Sequence, residues 1–157
     1  MNVKITANVS LGTASYSELM LSPYIVDQDN YARIGIVWKD GKTYARIRVS
    51  TLTDEALING DDPTVYLYET LINDIDLSKT LTLEAEKVEN TLALYVNDSL
   101  VYGRTVDNIA VKSEDYGLYL YNMDLQVNSF ETIGYKKYSQ SEVGGWITSG
   151  MKYNEWV

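Results

Sequence analysis

Arg33, Arg46 and Arg48 lie on the two arms flanking Asp40-Gly41, with Tyr31 and Tyr44 interleaved among them. A guanidinium is a planar fork of five donors that matches a carboxylate or sulfate group. A tyrosine offers a flat apolar ring with a polar tip. Together these residue types favour stacking and hydrogen bonding to a polyhydroxylated or anionic ligand, or contact with a protein surface, where Tyr and Arg are also favoured. They do not by themselves break bonds. The sequence contains no His and no Cys, which removes the commonest general base, the commonest zinc ligand and any disulfide framework.

What must position these residues is a β-hairpin. Asp40-Gly41 is a strong signal for a two-residue type I′ turn, which needs positive φ at both central positions. The turn sets the register. Trp38 faces Thr43, Ile36 faces Ala45, Ile34 faces Ile47 and Ala32 faces Val49, giving a core face. The other face pairs Val37 with Tyr44, Gly35 with Arg46 and Arg33 with Arg48, with Lys39 and Lys42 beside the turn. Arg33 opposite Arg48 is locally unfavourable, because like charges across a strand pair repel. A carboxylate of this chain (Glu69, Asp27 or Glu131) or a ligand is therefore expected over them. Tyr66 and Tyr68, alternating with Val65 and Leu67, are expected to extend the same face.

The chain of 157 residues suits one domain with a proper core. Its aromatic content is skewed, with 14 Tyr and 3 Trp against 1 Phe, a balance that suits sheet surfaces. A formal net charge of -9 argues against nucleic acid and anionic membrane as main partners, since both need a positive surface. No run reaches transmembrane length. The N-terminus enters an alternating strand directly and lacks the h-region of a signal peptide. An excised domain, or a product that leaves its cell without a secretion signal as virion proteins do, fits that start. The expected location is a virion or an extracellular surface.

Short alternating segments recur along the chain, at residues 2–9, 19–26 (with an edge or kink at Pro23), 31–39, 42–50, 64–70, 79–88, 91–97, 100–104, 116–121 and 126–135. Residues 51–63 read as a polar loop with room for one helical turn. The segments 79–88 and 91–97 form a second hairpin, placing Leu83 opposite Val96 and Ala85 opposite Leu94. Alternation with one polar face means antiparallel sheets packed on one side only, and about ten such strands make a sandwich or barrel. Residues 1–135 are expected to form the sandwich. Residues 136–157 carry Trp146, Tyr153 and Trp156, too apolar for a solvated tail, and are expected to dock on this domain or on a neighbouring copy in a homo-oligomer.

The stretch Thr80-Leu81-Thr82-Leu83-Glu84-Ala85-Glu86, followed by Asn90 to Tyr102, then Asp115-Tyr116-Gly117-Leu118-Tyr119-Leu120 and Phe130-Glu131-Thr132-Ile133, resembles concanavalin A-like and laminin-G-like jelly rolls. The hairpin from Asn30 to Ser50 is similar to the family's as well. This chain has Asp98 where the family's turn has Gly, and Tyr116 before Gly117. The resemblance implies an all-β, two-sheet jelly-roll sandwich. It covers most of residues 2–135 through short structural motifs, so it bears on fold more than on function. Family members divide into lectins and carbohydrate-binding modules, glycoside hydrolases, and adhesion or virion domains. The hydrolases carry closely spaced carboxylates with an Asp between two Glu. Glu84 and Glu86 lack that Asp, and a glycosidase needs two carboxylates flanking the bond. No catalytic residue is assigned.

Jelly rolls of this type often hold a structural calcium. Asp27, Asp29 and Asn30, and Asp61 with Asp62, could contribute oxygens, yet their spacing fits turn chemistry equally well. No metal ligand or cofactor is assigned. The sequons at Asn8 and Asn97 are treated as chance. The expected function is a non-catalytic binding module, recognising a glycan or mediating adhesion on a cell surface or virion (the phage tail or receptor-binding type), through Tyr31, Arg33, Tyr44, Arg46, Arg48, Tyr66 and Tyr68. The alternative is a virion structural protein, a capsid decoration or baseplate subunit, whose Tyr/Arg face and tail contact protein of the same assembly.

Overall fold

The computed structural model describes residues 2–13, 15–106 and 115–133. Ten strands and one short helix follow in the order β1 (Asn2–Leu11), β2 (Tyr16–Asp27), β3 (Asn30–Lys39), β4 (Lys42–Thr51), α1 (Asp54–Ile58), β5 (Thr64–Ile72), β6 (Leu81–Val88), β7 (Thr91–Val96), β8 (Ser99–Thr105), β9 (Asp115–Tyr121) and β10 (Met123–Ile133). They form two five-stranded sheets, ordered β10-β1-β6-β7-β8 and β5-β4-β3-β2-β9. All their pairings are antiparallel. The helical turn in the polar loop is α1, capped by the Thr53 side chain accepting from the Ala56 amide.

Period-2 alternation explains why these segments are strands and which side each buries. Val3, Ile5, Ala7 and Val9 of β1, with Leu81, Leu83, Leu92 and Leu94, face Leu19, Leu21, Ile34, Ile36, Ile47 and Val49 of the other sheet in one apolar cluster. The register of the β3–β4 hairpin is the expected one at every pair from Trp38–Thr43 to Ala32–Val49. Asp40 and Gly41 have φ of 52° and 73°, as a type I′ turn requires. Leu83 opposes Val96 and Ala85 opposes Leu94 in the second hairpin, also as expected.

Two local features fix the layout of the second sheet. Pro23 cannot donate to a ladder. Strand β2 is paired on both sides, and its register with both neighbours shifts around that residue, so the proline sits in a bulge rather than on an edge. Gly35 lies opposite Met20 of β2, where an added Cβ would come within 2.0 Å of the Leu19 carbonyl oxygen. No side chain fits there, and the β2 and β3 backbones approach closely in the middle of the outer face.

Two of the chain's four crossings between sheets fall at Gly12, after β1, and at Asn122, between β9 and β10. The two crossings clasp each other. The Asn122 carbonyl accepts from the Gly12 amide at 2.8 Å and from the Ser17 hydroxyl at 2.7 Å, while its side-chain amide donates to the Tyr16 carbonyl at 2.8 Å.

Candidate ligand-binding face

The outer face of the β5-β4-β3-β2-β9 sheet carries the arginines. Ile36 is fully buried and Trp38 nearly so, whereas Arg33, Arg46 and Arg48 are half-buried on the opposite side. Like residues on this face have unlike surroundings, and the face divides into two halves.

In the half nearer the β3–β4 turn, Arg46 is held by this chain's own carboxylates. Its Nε donates to Glu69 Oε2 at 2.8 Å and its Nη2 lies 2.7 Å from the same oxygen. Its Nη1 donates to the Tyr16 hydroxyl at 2.5 Å and stands 3.6 Å from Glu18 Oε1. The Tyr16 hydroxyl donates in turn to Glu18 Oε2 at 3.0 Å. Lys39 Nζ reaches Glu69 Oε1 at 2.5 Å and lies 4.7 Å from the Tyr44 ring centroid. Tyr44 therefore belongs to this closed network. Burial alone would raise the Glu69 carboxyl, but hydrogen bonds and charge from Lys39 and Arg46 outweigh it and hold the group below the usual glutamate range. Burial and the neighbouring Glu18 push the Tyr16 hydroxyl up.

In the other half, the arginines meet aromatic rings. The Arg33 guanidinium carbon lies 4.3 Å from the Tyr31 centroid and 4.3 Å from the Tyr119 centroid. Arg48, opposite Arg33 in register, donates from Nε to the Tyr31 hydroxyl at 2.9 Å. Among the described residues, neither Arg33 nor Arg48 has a carboxylate within ion-pair distance. The carboxylates expected to neutralise them are engaged elsewhere. Glu69 serves Arg46 and Lys39. Glu131 lies in the other sheet, opposite Lys4. Asp27 accepts from the amides of Asp29 and Asn30 at 2.8 and 2.9 Å, and from the Asn30 side chain. Those hydrogen bonds, that from the Asp29 amide foremost, lower its carboxyl below the usual range. Asp27 and Asn30 thus make a turn of the kind their side chains favour.

Beside Arg33 lies a cleft of about 370 Å³, lined by Tyr31, Arg33 and Tyr119 together with Ser22, Asp27 and Gly117. Two rings lie against the Arg33 guanidinium, and none of its N–H groups has an acceptor among the described residues, so its donors are left for a ligand. A cation on an aromatic face gains about 0.5–2 kcal/mol. A like-charge pair across strands costs on the order of 0.2–1 kcal/mol. The rings can therefore hold two adjacent arginines in place without a counter-charge.

Tyr66 and Tyr68 are a correction. Tyr66 pairs with Val49 and Tyr68 with Ile47, so both turn toward the core side and pack against the apolar cluster. Val65, Leu67 and Leu71 take the outer face of β5 instead, and all three are exposed. Tyr68 is capped by the Arg104 guanidinium at 3.8 Å, outside the Arg33–Arg48 group. Trp146, Tyr153 and Trp156, with the rest of residues 136–157, lie outside the described residues. Glu84 and Glu86 are both engaged by the Asn2 side-chain amide, at 2.9 and 3.5 Å.

Tyr16, Glu18 and Tyr119 were not among the residues expected here. Tyr119 shares the parity of Gly117 on β9, but its place beside Arg33 depends on β9 pairing with β2, a contact between segments nearly a hundred residues apart.

No protein-family model matches the chain, and no curated protein sequence matches it. Among solved structures, the chain is similar to sheep galectin-11 in complex with glycerol, at 17% identity and a TM-score of 0.52, covering 83% of this chain and 86% of that one. It is also similar to the carbohydrate-binding module CBM66 from Bacillus subtilis, at 14% identity and a TM-score of 0.49, covering 80% and 73%. The fold is a two-sheet, concanavalin A-like jelly-roll sandwich.

Proposed function

We propose that this chain is a non-catalytic glycan-recognition module whose ligand lies on the outer face of the β5-β4-β3-β2-β9 sheet, at Tyr31, Arg33, Arg48 and Tyr119. The observation that carries this reading is the Arg33 guanidinium, 4.3 Å from two tyrosine rings, opposite Arg48 in register and lining a cleft, with no carboxylate of the described residues committed to either arginine. Rings and planar donors in one cleft are what a sugar requires, an apolar surface for its ring and directed donors for its oxygens. The fold supports the reading, because the domains it resembles include lectins and carbohydrate-binding modules. The absence of His and Cys from the sequence, and the engagement of Glu84 and Glu86 by Asn2, favour binding over hydrolysis. An extracellular or virion surface is the setting we assign.

The test is a glycan array probed with the wild-type chain and with an Arg33→Ala, Tyr119→Ala double variant. Binding to at least one glycan class, lost in the double variant while its thermal unfolding stays cooperative, is the expected result. Absence of binding to any glycan, or binding that survives the double substitution, rules the reading out.

A second reading, contact with protein of the same assembly as in a virion structural subunit, is favoured by a separate observation. Val65, Leu67 and Leu71 are exposed apolar residues on the outer face of edge strand β5, and Leu57 and Ile58 of α1 are 64% and 83% exposed. Mass measurement in solution tests it. An oligomer that dissociates on Leu67→Lys, Leu71→Lys substitution supports this second reading, and a monomer removes it.

A further inference from the structure

We infer that the saccharide bound at this face carries an anionic group, a carboxylate or a sulfate ester, recognised by the guanidinium groups of Arg33 and Arg48. This rests on the glycan reading above and narrows it to a ligand class.

Neutral sugars need donors and a stacking surface, but they do not need two cations on facing positions of adjacent strands. Arg33 and Arg48 are such a pair. Each is held without neutralisation, Arg33 by the two rings at 4.3 Å and Arg48 by one Nε bond to the Tyr31 hydroxyl at 2.9 Å. That bond uses one of the donors on Arg48 and leaves its two Nη groups without an acceptor among the described residues. The neighbouring Arg46 shows how this chain satisfies an arginine when it needs no ligand. Glu69, Glu18 and Tyr16 surround it, and its side chain is only 11% exposed. Glu69 stands one strand away from Arg48 yet is directed to Arg46 and Lys39. The charge on the Arg33–Arg48 pair is thus preserved within a chain of net charge -9, and the two guanidinium groups outnumber the one carboxylate of the cleft lining, Asp27, which is engaged by the Asp29 and Asn30 amides. Paired guanidinium groups bind such oxygens by charge-assisted, bidentate bonds, about twice as strong as neutral ones.

The experiment is titration calorimetry of the full chain with matched probes. One pair is a galacturonic acid hexamer and its fully methyl-esterified form, and the other is a chondroitin sulfate hexasaccharide and its desulfated form. In at least one pair, the member with the free carboxylates or the sulfate is expected to bind about tenfold or more tightly than its partner without that group. The carboxylate and sulfate pairs separate the two sources of charge, with uronate carboxylates common to both chondroitin probes. Arg48→Gln is expected to abolish that preference, lowering the affinity for the charged member to the level of its partner. Lys42→Gln, at an exposed position by the turn, is expected to preserve it and so separates a seated anion from diffuse attraction. Equal affinity within both pairs, with binding lost on Tyr119→Ala, overturns the inference and leaves the glycan reading standing. A charge preference that Arg48→Gln does not alter overturns it as well. If neither these probes nor any glycan on the array binds, both fall together.

Discussion

The two halves of one sheet face hold the same residue type in opposite states. Around Arg46 the chain builds its own counter-ions, and the hydrogen bonds that Arg46 donates to Glu69 and Tyr16 leave little of that guanidinium for anything else. Around Arg33 and Arg48 it builds rings, and the charge stays available. The two halves meet at Gly35, which lies between Arg46 on β4 and Met20 on β2. An arginine on a strand face is thus a structural ion pair or a recognition element according to what its cross-strand and next-strand neighbours are. Residue type alone does not decide.

The contrast can be broken outright at its seam. Gly35→Ala would drive a Cβ into the β2 backbone at the Leu19 carbonyl and is expected to cost about 3 kcal/mol or more, removing both halves together. Chemical denaturation measures it. Arg46→Ala breaks only the closed half. It leaves Glu69 with Lys39 alone and Glu18 with Tyr16, and a loss of about 2–3 kcal/mol is expected once partial solvent access is allowed for. Acid sharpens the same half. The Glu69 carboxyl sits below its ordinary value in the folded state, so its pairing contributes stability that is fully present above the ordinary glutamate range and is lost as pH falls through the lower folded value. Melting curves of the wild type are expected to fall more steeply on acidification than those of Glu69→Gln.

In the open half the expectation reverses. Arg48→Ala should change stability by no more than about 0.5 kcal/mol, as for ordinary surface positions, while removing recognition of an anionic probe. The smallest effect lies outside the face, at the β7–β8 turn. Asp98 has φ of 68°, a region costly for residues with a Cβ, so Asp98→Gly is expected to stabilise by roughly 0.5 kcal/mol with ligand recognition untouched.

Much of this face could be read from the residue order, because a two-residue turn and strict alternation leave one register for β3 and β4. The same logic placed Leu83 against Val96. It failed at β5 because both faces of that strand are apolar or aromatic, Val65 and Leu67 on one side and Tyr66 and Tyr68 on the other. The long connection from β4 gave no turn to choose between them. The partition of the arginines was hidden for a different reason. It depends on Glu69, Glu18 and Tyr119, which arrive through the β4–β5, β2–β3 and β2–β9 pairings. No local pattern announces which carboxylate reaches which arginine.

Side-chain Nε–H resonances of the three arginines report both halves at once. In a titration with the galacturonic acid hexamer followed by 1H–15N NMR, Arg33 and Arg48 are predicted to shift and saturate together while Arg46 stays in place. Movement of Arg46 with the other two unmoved, or no movement of any of the three at saturating probe, would contradict the division of the face into a closed and an open half.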